Sequence, residues 1–177
     1  MAGPVVAGAC VFLTREGWPA GLDDSKKLSR ERRRRLVEEL TGGTAARWAT
    51  GVATVEEIDR LNILQATFLA MRRALAALGT EAATALVDGS QMPVLPARVV
   101  AVVKGDGKSP SIAAASILAK ETRDRMMEAA EEQYPGYEFG RHKGYGTARH
   151  LAALERLGPC ALHRRSFAPV ARGACRC

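Results

Sequence analysis

Four short apolar segments of the chain have the length and composition of strands buried in a sheet. They occupy residues 5–13, 46–55, 82–87 and 98–103. The first is apolar almost from the beginning of the printed sequence (MAGPVVAGACVFL), and the fourth (RVVAVV) leads into a loop that contains glycine and lysine. The pattern therefore predicts four strands.

Four other segments repeat their apolar residues with the period of a helix. They span residues 30–40, 56–78, 109–133 and 147–157. Ser29 and Ser109 suit the N-cap position of two of them, and Pro110 fits a first helical position. The second segment carries an apolar stripe that is predicted to be core: Ile58, Leu61, Leu64, Phe68, Met71, Leu75 and Leu78. Strands and helices under one core predict an α/β fold, a mixed sheet flanked by helices, with a small helical segment at the C-terminal end.

The helix predicted for residues 109–133 also carries candidate chemistry. Its four-residue spacing places Ser116, Lys120 and Asp124 on one face. That face begins beside Lys108 and a helix N-terminus, where backbone N–H groups favour a phosphate. A phosphate-binding end and a carboxylate on one element indicate phosphoryl chemistry, although a capped, alanine-rich helix taken alone is more often simply a packed one.

The string GDGKS in the loop before this helix is similar to a nucleotide-binding P-loop, but its spacing excludes that motif. A P-loop requires a glycine five residues before the glycine that precedes the lysine. Here Gly107 precedes Lys108, and the required position is Val102. A nucleotide-hydrolysing protein is therefore disfavoured.

Other candidate residues lie where predicted elements begin or end. Asp88 follows a buried strand and precedes a glycine, which is where open α/β sheets place site residues, although an aspartate that starts a turn is also common there. Lys26 and Lys27 lie in a loop, where basic side chains often meet phosphates. The basic run at residues 32–35 is predicted to be a solvated helix face. Asn62 interrupts the apolar stripe, and a buried amide usually has a partner or a ligand.

Residues 134–146 (YPGYEFGRHKGYG) combine tyrosines and glycines with basic residues and are predicted to be irregular. Aromatic rings beside positive charge suit stacking on sugars or bases. The segment around HRRSFAPV is also predicted to be basic and irregular.

Composition narrows the class of protein. The chain has 177 residues, of which 47% are hydrophobic, and a formal net charge of +7 with a pI near 9.6. This predicts one globular, soluble, cytoplasmic protein without a membrane partner, and the positive charge mildly favours nucleic acid. Neither the cysteines nor the histidines have the spacing of a metal site, and none is expected to be a ligand: Cys10, Cys160, Cys175, Cys177, His142, His150 and His163.

Eight motifs in order resemble ribonuclease HII, the bacterial type 2 ribonuclease H. They are AGPVVAG (2–8), DSKKLS (24–29), EEIDRLNILQAT (56–67), VDG (87–89), KGDGKSPSIAAASILAK (104–120), TRDR (122–125), HKGYGT (142–147) and HRRSFAP (163–169). The resemblance implies a ribonuclease H-like fold. It also implies an endonuclease that cleaves the RNA strand of RNA–DNA hybrids and nicks DNA 5′ to an embedded ribonucleotide.

The resemblance assigns roles to individual residues. Asp88 and Asp124 match two of four carboxylates that hold two divalent ions, Mn²⁺ or Mg²⁺, for phosphodiester hydrolysis. Tyr145 matches the tyrosine that stacks on the sugar at the RNA–DNA junction. Four residues resemble contacts to backbone phosphates, and Asn62 is a weaker candidate of the same kind: Lys26, Lys27, Lys108 and Ser109.

In the family, a segment of the form DEAGRG precedes AGPVVAG and supplies the other two carboxylates and the central first strand of the sheet. That strand has no counterpart in the printed sequence. The chain as written is therefore expected to be unstable and nearly inactive, and an in-frame DEAGRG is expected in the coding DNA just upstream of Met1. Unrelated sequence there would instead indicate a decayed gene.

The same resemblance implies how the chain divides into functional parts. Residues 1–133 would form the catalytic domain and residues 134–177 a substrate-binding segment, in a protein that acts as a monomer. The competing interpretation is a homologue that binds hybrid duplexes through its lysines and Tyr145 without cutting them.

Overall fold

The computed structural model describes residues 1–14 and 18–174, and within these ranges it confirms the predicted α/β class. The strands are β1 (Val5–Phe12), β2 (Ala46–Ala53), β3 (Thr84–Asp88) and β4 (Arg98–Val102). The helices are α1 (Arg30–Gly42), α2 (Val55–Leu61), α3 (Ile63–Ala77), α4 (Pro110–Gln133), α5 (Phe139–His142), α6 (Ala148–Leu157) and α7 (Ala168–Ala174). The cysteines at positions 175 and 177 lie outside the described residues.

The four strands form two separate pairs. β1 pairs with β2, and β3 pairs in parallel with β4, with Leu86 opposite Val100 in the register. Leu86 and Val100 are 47% and 36% exposed, whereas the neighbouring Val87 is buried. The β3–β4 pair therefore has one covered and one open face.

The chain divides into two compact units, each with its own core. In the first unit, Met127 of α4 packs with Tyr137 and Phe139. In the second, α1 and α4 pack through a cluster made of Leu36, Val37, Leu40, Ala114, Ile117 and Leu118. The first unit comprises Met1–Val5, Ala53–Thr67 and Thr122–Cys177, and the second comprises Val6–Val52 and Phe68–Glu121. The functional division at residue 133 stays a prediction.

The prediction of a single long helix over residues 56–78 is wrong, because the structure has two helices that are separated at Asn62. This residue ends α2 with φ 72° and ψ 165°, outside the helical region. Its side-chain Oδ1 then accepts hydrogen bonds from the backbone N–H groups of Leu64 (3.0 Å) and Gln65 (3.1 Å). Few residues other than glycine adopt this combination of φ and ψ, and the two side-chain hydrogen bonds hold Asn62 in it. One residue therefore both ends α2 and caps α3.

The apolar stripe predicted to line the core of this segment is also only partly correct. Leu64 is 38% exposed, and α3 instead buries a row of alanines, namely Ala66, Ala70 and Ala74. The cause is close packing on β2, where a Cβ added at Gly51 would overlap the Ala70 carbonyl oxygen. Only small side chains fit such a short distance between helix and strand.

Two segments predicted to be irregular contain short helices, α5 and α7. The predicted cap at Ser29 is confirmed, since its Oγ accepts from Arg32 N–H. Thr147, predicted to lie inside the last helix, instead caps α6 through its Oγ1, which accepts from His150 N–H. In the described part of the chain, none of the helices has both the length and the apolar character needed to cross a membrane.

Candidate nucleic-acid and metal site

Asp88 lies at the carboxyl end of β3, in the second unit, as the sequence predicts. Its Oδ1 accepts a hydrogen bond from Gly105 N–H at 2.8 Å, just beyond the end of the neighbouring strand β4. A Cβ at position 105 would come within 2.6 Å of the Ile112 side chain, so a larger residue there would displace that side chain. The backbone after β4 therefore orients an exposed carboxylate at the end of the strand pair.

The loop after β4 turns directly into the N-terminus of α4. Residues Gly105–Gly107 form a 3-10 turn, and Ser109 N–H donates to the Gly105 carbonyl at 2.8 Å. Ser109 occupies the N-cap position, since its carbonyl accepts from Ala113 N–H at 2.9 Å. Lys108 is exposed beside this helix end. The arrangement places a positive side chain next to the positive end of a helix dipole, which favours an anion.

Lys26 and Lys27 are exposed in the loop before α1. Lys26 N–H donates to Asp24 Oδ1 at 2.9 Å, and Lys27 Nζ lies 3.1 Å from Asp23 Oδ1. The hydrogen bond to Asp23 raises the pKa of Lys27. The pKa of the Asp23 carboxyl is lowered, first by a hydrogen bond from Asp24 N–H and then by the one from Lys27. Lys27 thus has an acidic partner that a bound phosphate would compete with.

This lysine loop lies against the loop that carries Lys108. The Ser25 hydroxyl is 2.9 Å from the Ser116 hydroxyl of α4, which ties the lysine loop to that helix. A Cβ added at Gly107 would lie 4.0 Å from Asp23 Oδ1. Within the second unit, the structure therefore brings the two predicted phosphate-binding loops together, and Asp88 is hydrogen-bonded to one of them.

The prediction that residues 32–35 form a solvated helix face is wrong for Arg33, whose side chain is largely buried. Its Nε lies 2.8 Å from Glu121 Oε1, and the side chains are only 11% and 4% exposed. Its Nη1 also donates to the carbonyls of Ser25 and Leu28, at 3.1 Å and 2.8 Å. Arg33 therefore fixes the backbone of the loop that carries Lys26 and Lys27.

The sequence contains a signal for this ion pair that the prediction of a solvated helix face does not take into account. Residues 33, 36, 37 and 40 share one face of α1, and residues 114, 117, 118 and 121 share one face of α4. In both rows the other members form the buried cluster between the helices. A basic residue on one buried face and an acidic residue on the other predict a buried pair.

The remaining predicted residues belong to the first unit. Asp124 is buried in α4, with 7% of its surface exposed. Tyr145 is 55% exposed, and the Arg123 guanidinium carbon lies 5.3 Å from the centre of its ring. Asn62 caps α3, as described above, which is a sufficient structural reason for its presence.

Three histidines form a buried cluster beneath Tyr145. His150 Nδ1 lies 2.8 Å from the Tyr145 carbonyl oxygen, and its Nε2 lies 3.0 Å from His163 Nε2. The ring of His142 stacks on that of His150 with centroids 4.3 Å apart. Burial lowers the pKa of His150 and of His163 to about 4, so both are neutral at pH 7. Neutral rings can hydrogen-bond to each other and to the tyrosine loop.

The candidate carboxylates are the type of ligand that a divalent metal ion prefers, but they are too few to form a complete site. Carboxylate oxygens such as those of Asp88 and Asp124 are ligands that Mg²⁺ and Mn²⁺ prefer. Among residues 1–14 and 18–174, however, no group of three or more His, Cys, Asp or Glu side chains could hold a metal ion. The described side chains alone do not complete such a site.

Comparison with known proteins gives a consistent result. The family model for ribonuclease HII matches residues 1–170. The ribonuclease HII of Dechloromonas aromatica is 59% identical over 172 residues, which cover 97% of this chain and 87% of that protein. The ribonuclease HII of Sphingopyxis alaskensis is 56% identical over 172 residues, covering 97% and 85%.

Solved structures share the fold. The structure of the PCNA–RNase HII complex from Archaeoglobus fulgidus matches with a TM-score of 0.70 and 27% identity, over 88% of this chain and 81% of that one. The structure of Bst-RNase HIII in complex with Mn²⁺ matches with a TM-score of 0.75 over 98% of this chain and 65% of that one; at 19% identity, this likeness supports the fold alone. The sequence match over nearly the whole chain, together with the shared fold, shows that this chain belongs to the ribonuclease HII family.

Proposed function

We propose that the chain acts on RNA–DNA hybrids and on DNA with embedded ribonucleotides, as an endonuclease that cuts on the 5′ side of the ribonucleotide. The observation that carries this proposal is the exposed Asp88 carboxylate at the end of β3, hydrogen-bonded to a loop that leads through Lys108 into a helix N-terminus. A carboxylate beside groups that attract phosphate suits phosphodiester hydrolysis.

Each predicted binding residue has a place in this proposal. Lys26, Lys27, Lys108 and Ser109 bind backbone phosphates, and such contacts fix the duplex without reading its sequence. Tyr145 stacks on the sugar at the ribonucleotide, where selectivity must come from features of the ribose. Residues 134–177 thus serve as the substrate-binding segment of a monomeric protein, and residues 1–133 as its catalytic part.

Asp88 and Asp124 are the proposed metal ligands, with Mn²⁺ or Mg²⁺ as the ion. A pair of such ions, when bound, activates water and stabilises the leaving oxygen in a phosphodiester cleavage. The related fold of Bst-RNase HIII was solved with Mn²⁺. Asp124→Asn should therefore abolish metal-dependent cleavage by an active form of the enzyme, while its affinity for hybrid duplexes should remain largely intact.

We further propose that the 177-residue chain alone cuts weakly or not at all. This follows from the donor count, because two carboxylates leave most positions around two ions to water, and the described residues contain no cluster of three possible ligands. The same observation favours a second candidate function, namely a homologue that binds hybrid duplexes without cutting them.

Two assays on one labelled duplex separate these functions. The duplex contains a single ribonucleotide; binding is measured in EDTA by fluorescence anisotropy, and cleavage is measured with Mn²⁺ added. Tight binding without product supports the binding homologue, and product supports the enzyme. Asp88→Asn should remove any product, and the matched Asp106→Asn, which changes an acid in the adjacent loop, should not. Absence of both binding and product would refute the proposed function for this chain.

A further inference from the structure

The side chain of Arg123 is fixed by an unusually large number of hydrogen bonds to the backbone. Its three guanidinium nitrogens donate to three backbone carbonyls: Nε to Pro4 (3.1 Å), Nη1 to Lys143 (2.9 Å) and Nη2 to Ala2 (3.2 Å). Because the guanidinium is planar and rigid, three such bonds fix its position and the direction of its face. One side chain of α4 thus joins the beginning of the chain to the HKGYG loop.

The same guanidinium lies over the ring of Tyr145. The distance of 5.3 Å from its central carbon to the ring centroid is within the range of a cation–π contact. Tyr145 itself is 55% exposed. A ring on the surface, with a positively charged plane against it, has a preferred orientation that an isolated surface tyrosine lacks.

The backbone of Tyr145 is fixed independently of Arg123. Its N–H donates to the His142 carbonyl at 3.0 Å, and its own carbonyl accepts from Thr147 N–H at 2.9 Å. His150 Nδ1 lies 2.8 Å from the same carbonyl oxygen. With the peptide groups on both sides held, the orientation of the ring depends on its side-chain torsions, which is where a contact from Arg123 acts.

We propose that Arg123 is a positioning residue for ribonucleotide recognition, which holds the Tyr145 ring ready to stack on the sugar at an RNA–DNA step. This inference rests on the proposed function, since it concerns the selectivity assigned there to Tyr145. Arg123 does not contact the nucleic acid in this scheme. It reduces the freedom that Tyr145 would lose on binding, and such preorganisation strengthens binding without adding a contact to the ligand.

Arg164 provides a matched control within the same unit. Its Nε donates to the Gly3 carbonyl at 2.9 Å and its Nη2 to the Pro4 carbonyl at 3.4 Å. Its guanidinium lies 5.1 Å from the ring centroid of Phe167. Arg164 therefore has the same kinds of contact to the same stretch of backbone, but with a different aromatic ring.

The test measures the preference for a ribonucleotide, defined as the dissociation constant for an all-DNA duplex divided by that for the same duplex with one ribonucleotide. It is measured in EDTA on the full chain, so it does not depend on cleavage. Arg123→Lys keeps the charge, but a lysine lacks the planar guanidinium that makes the three hydrogen bonds. The variant should therefore lower the preference about twofold to fivefold. Arg164→Lys should lower the melting temperature about as much as Arg123→Lys does, but it should leave the preference for a ribonucleotide unchanged. In a Tyr145→Ala background, Arg123→Lys should have no further effect on the preference.

The possible failures are distinguishable. If Tyr145→Ala lowers the preference but Arg123→Lys does not, the positioning role is refuted and the proposed role of Tyr145 stands. If Tyr145→Ala leaves the preference at its parent value, the role proposed for Tyr145 fails, and the role of Arg123 fails with it. If Arg123→Lys does not fold, Arg123→Gln is measured instead. Failure of both to fold, with Arg164→Lys folded, would show that Arg123 is a structural residue and overturn the proposal.

Discussion

At the scale of single residues, the buried ion pair of Arg33 and Glu121 has the clearest energetic consequence. Both side chains are almost fully buried, and the guanidinium also donates to two loop carbonyls. Removing one member of a buried pair leaves the other charge without compensation in a medium of low polarity. The pair therefore couples the fold of the second unit to the position of the lysine loop.

Arg33→Ala should lower the free energy of unfolding by about 3–5 kcal/mol, because Glu121 would stay buried without its partner. The control is Arg35→Ala, which removes an exposed pair with Glu31 one helical turn away. That variant should cost about 0.5 kcal/mol or less. Denaturant unfolding monitored by circular dichroism measures both, and equal costs for the two variants would contradict the buried pair.

The histidine cluster predicts a dependence of stability on pH. Burial lowers the pKa values of His150 and His163 from 6.5 to about 4 in the folded chain. Between these values the unfolded chain binds more protons, so the stabilising effect is complete above pH 6.5 and is lost as the pH falls towards 4. Each of these two shifts should make the free energy of unfolding about 2 kcal/mol lower at pH 5 than at pH 7.

A His150→Gln variant isolates the contribution of the cluster. The Met1 amine, whose pKa is lowered by burial to about 5, changes stability in the same direction, but its effect cancels when the variant is compared with the parent. The pH-dependent loss should be clearly smaller in the variant. Identical losses in parent and variant would show that these imidazoles do not carry the effect.

At the scale of elements, the break between α2 and α3 depends on one side chain. Asn62 combines a positive φ with a cap of the following helix. Asn62→Ala should cost about 1–2 kcal/mol, because alanine neither caps nor tolerates that conformation. Asn62→Gly keeps the conformation and should cost only a few tenths of a kcal/mol.

The same pair of variants tests whether Asn62 also contacts phosphate. If its role is only to cap α3, Asn62→Gly should bind a hybrid duplex as tightly as the parent. A clear loss of affinity in this well-folded variant would instead support the phosphate contact implied by the resemblance.

Local signals in the sequence predicted where most elements begin and end. Ser29 and Ser109 occupy N-cap positions as predicted, and α4 ends at Gln133 as predicted. Such features depend on a few neighbouring residues. The burial of alanines on α3 depends instead on the absence of a side chain at Gly51, which is distant in sequence. Periodicity alone favours the large apolar residues and cannot detect that close contact.

At the scale of the whole molecule, the strands form two pairs, and apolar residues of the β3–β4 pair are exposed. Leu86 and Val100 lie side by side with 47% and 36% of their surfaces exposed. Apolar surface of this kind lowers stability and favours association.

At this scale the sequence predicted part of the candidate site but not the contacts between its distant residues. The order of motifs predicted the family, and the ends of β3 and β4 predicted where Asp88 would lie. The contact of Gly105 with Asp88 and the contact of Arg123 with Tyr145 join residues far apart in sequence. No local pattern contains those contacts, so they emerge only from the folded chain.

The most direct test of the central claim is cleavage of a single-ribonucleotide duplex, with Mn²⁺, by a chain lengthened before Met1 with a DEAGRG segment. We expect the lengthened chain to cut on the 5′ side of the ribonucleotide. Its Asp88→Asn variant should bind the duplex but yield no product, whereas its Asp106→Asn variant should cut normally. Cleavage by the Asp88→Asn variant at the rate of its parent would contradict the claim that Asp88 belongs to the catalytic site.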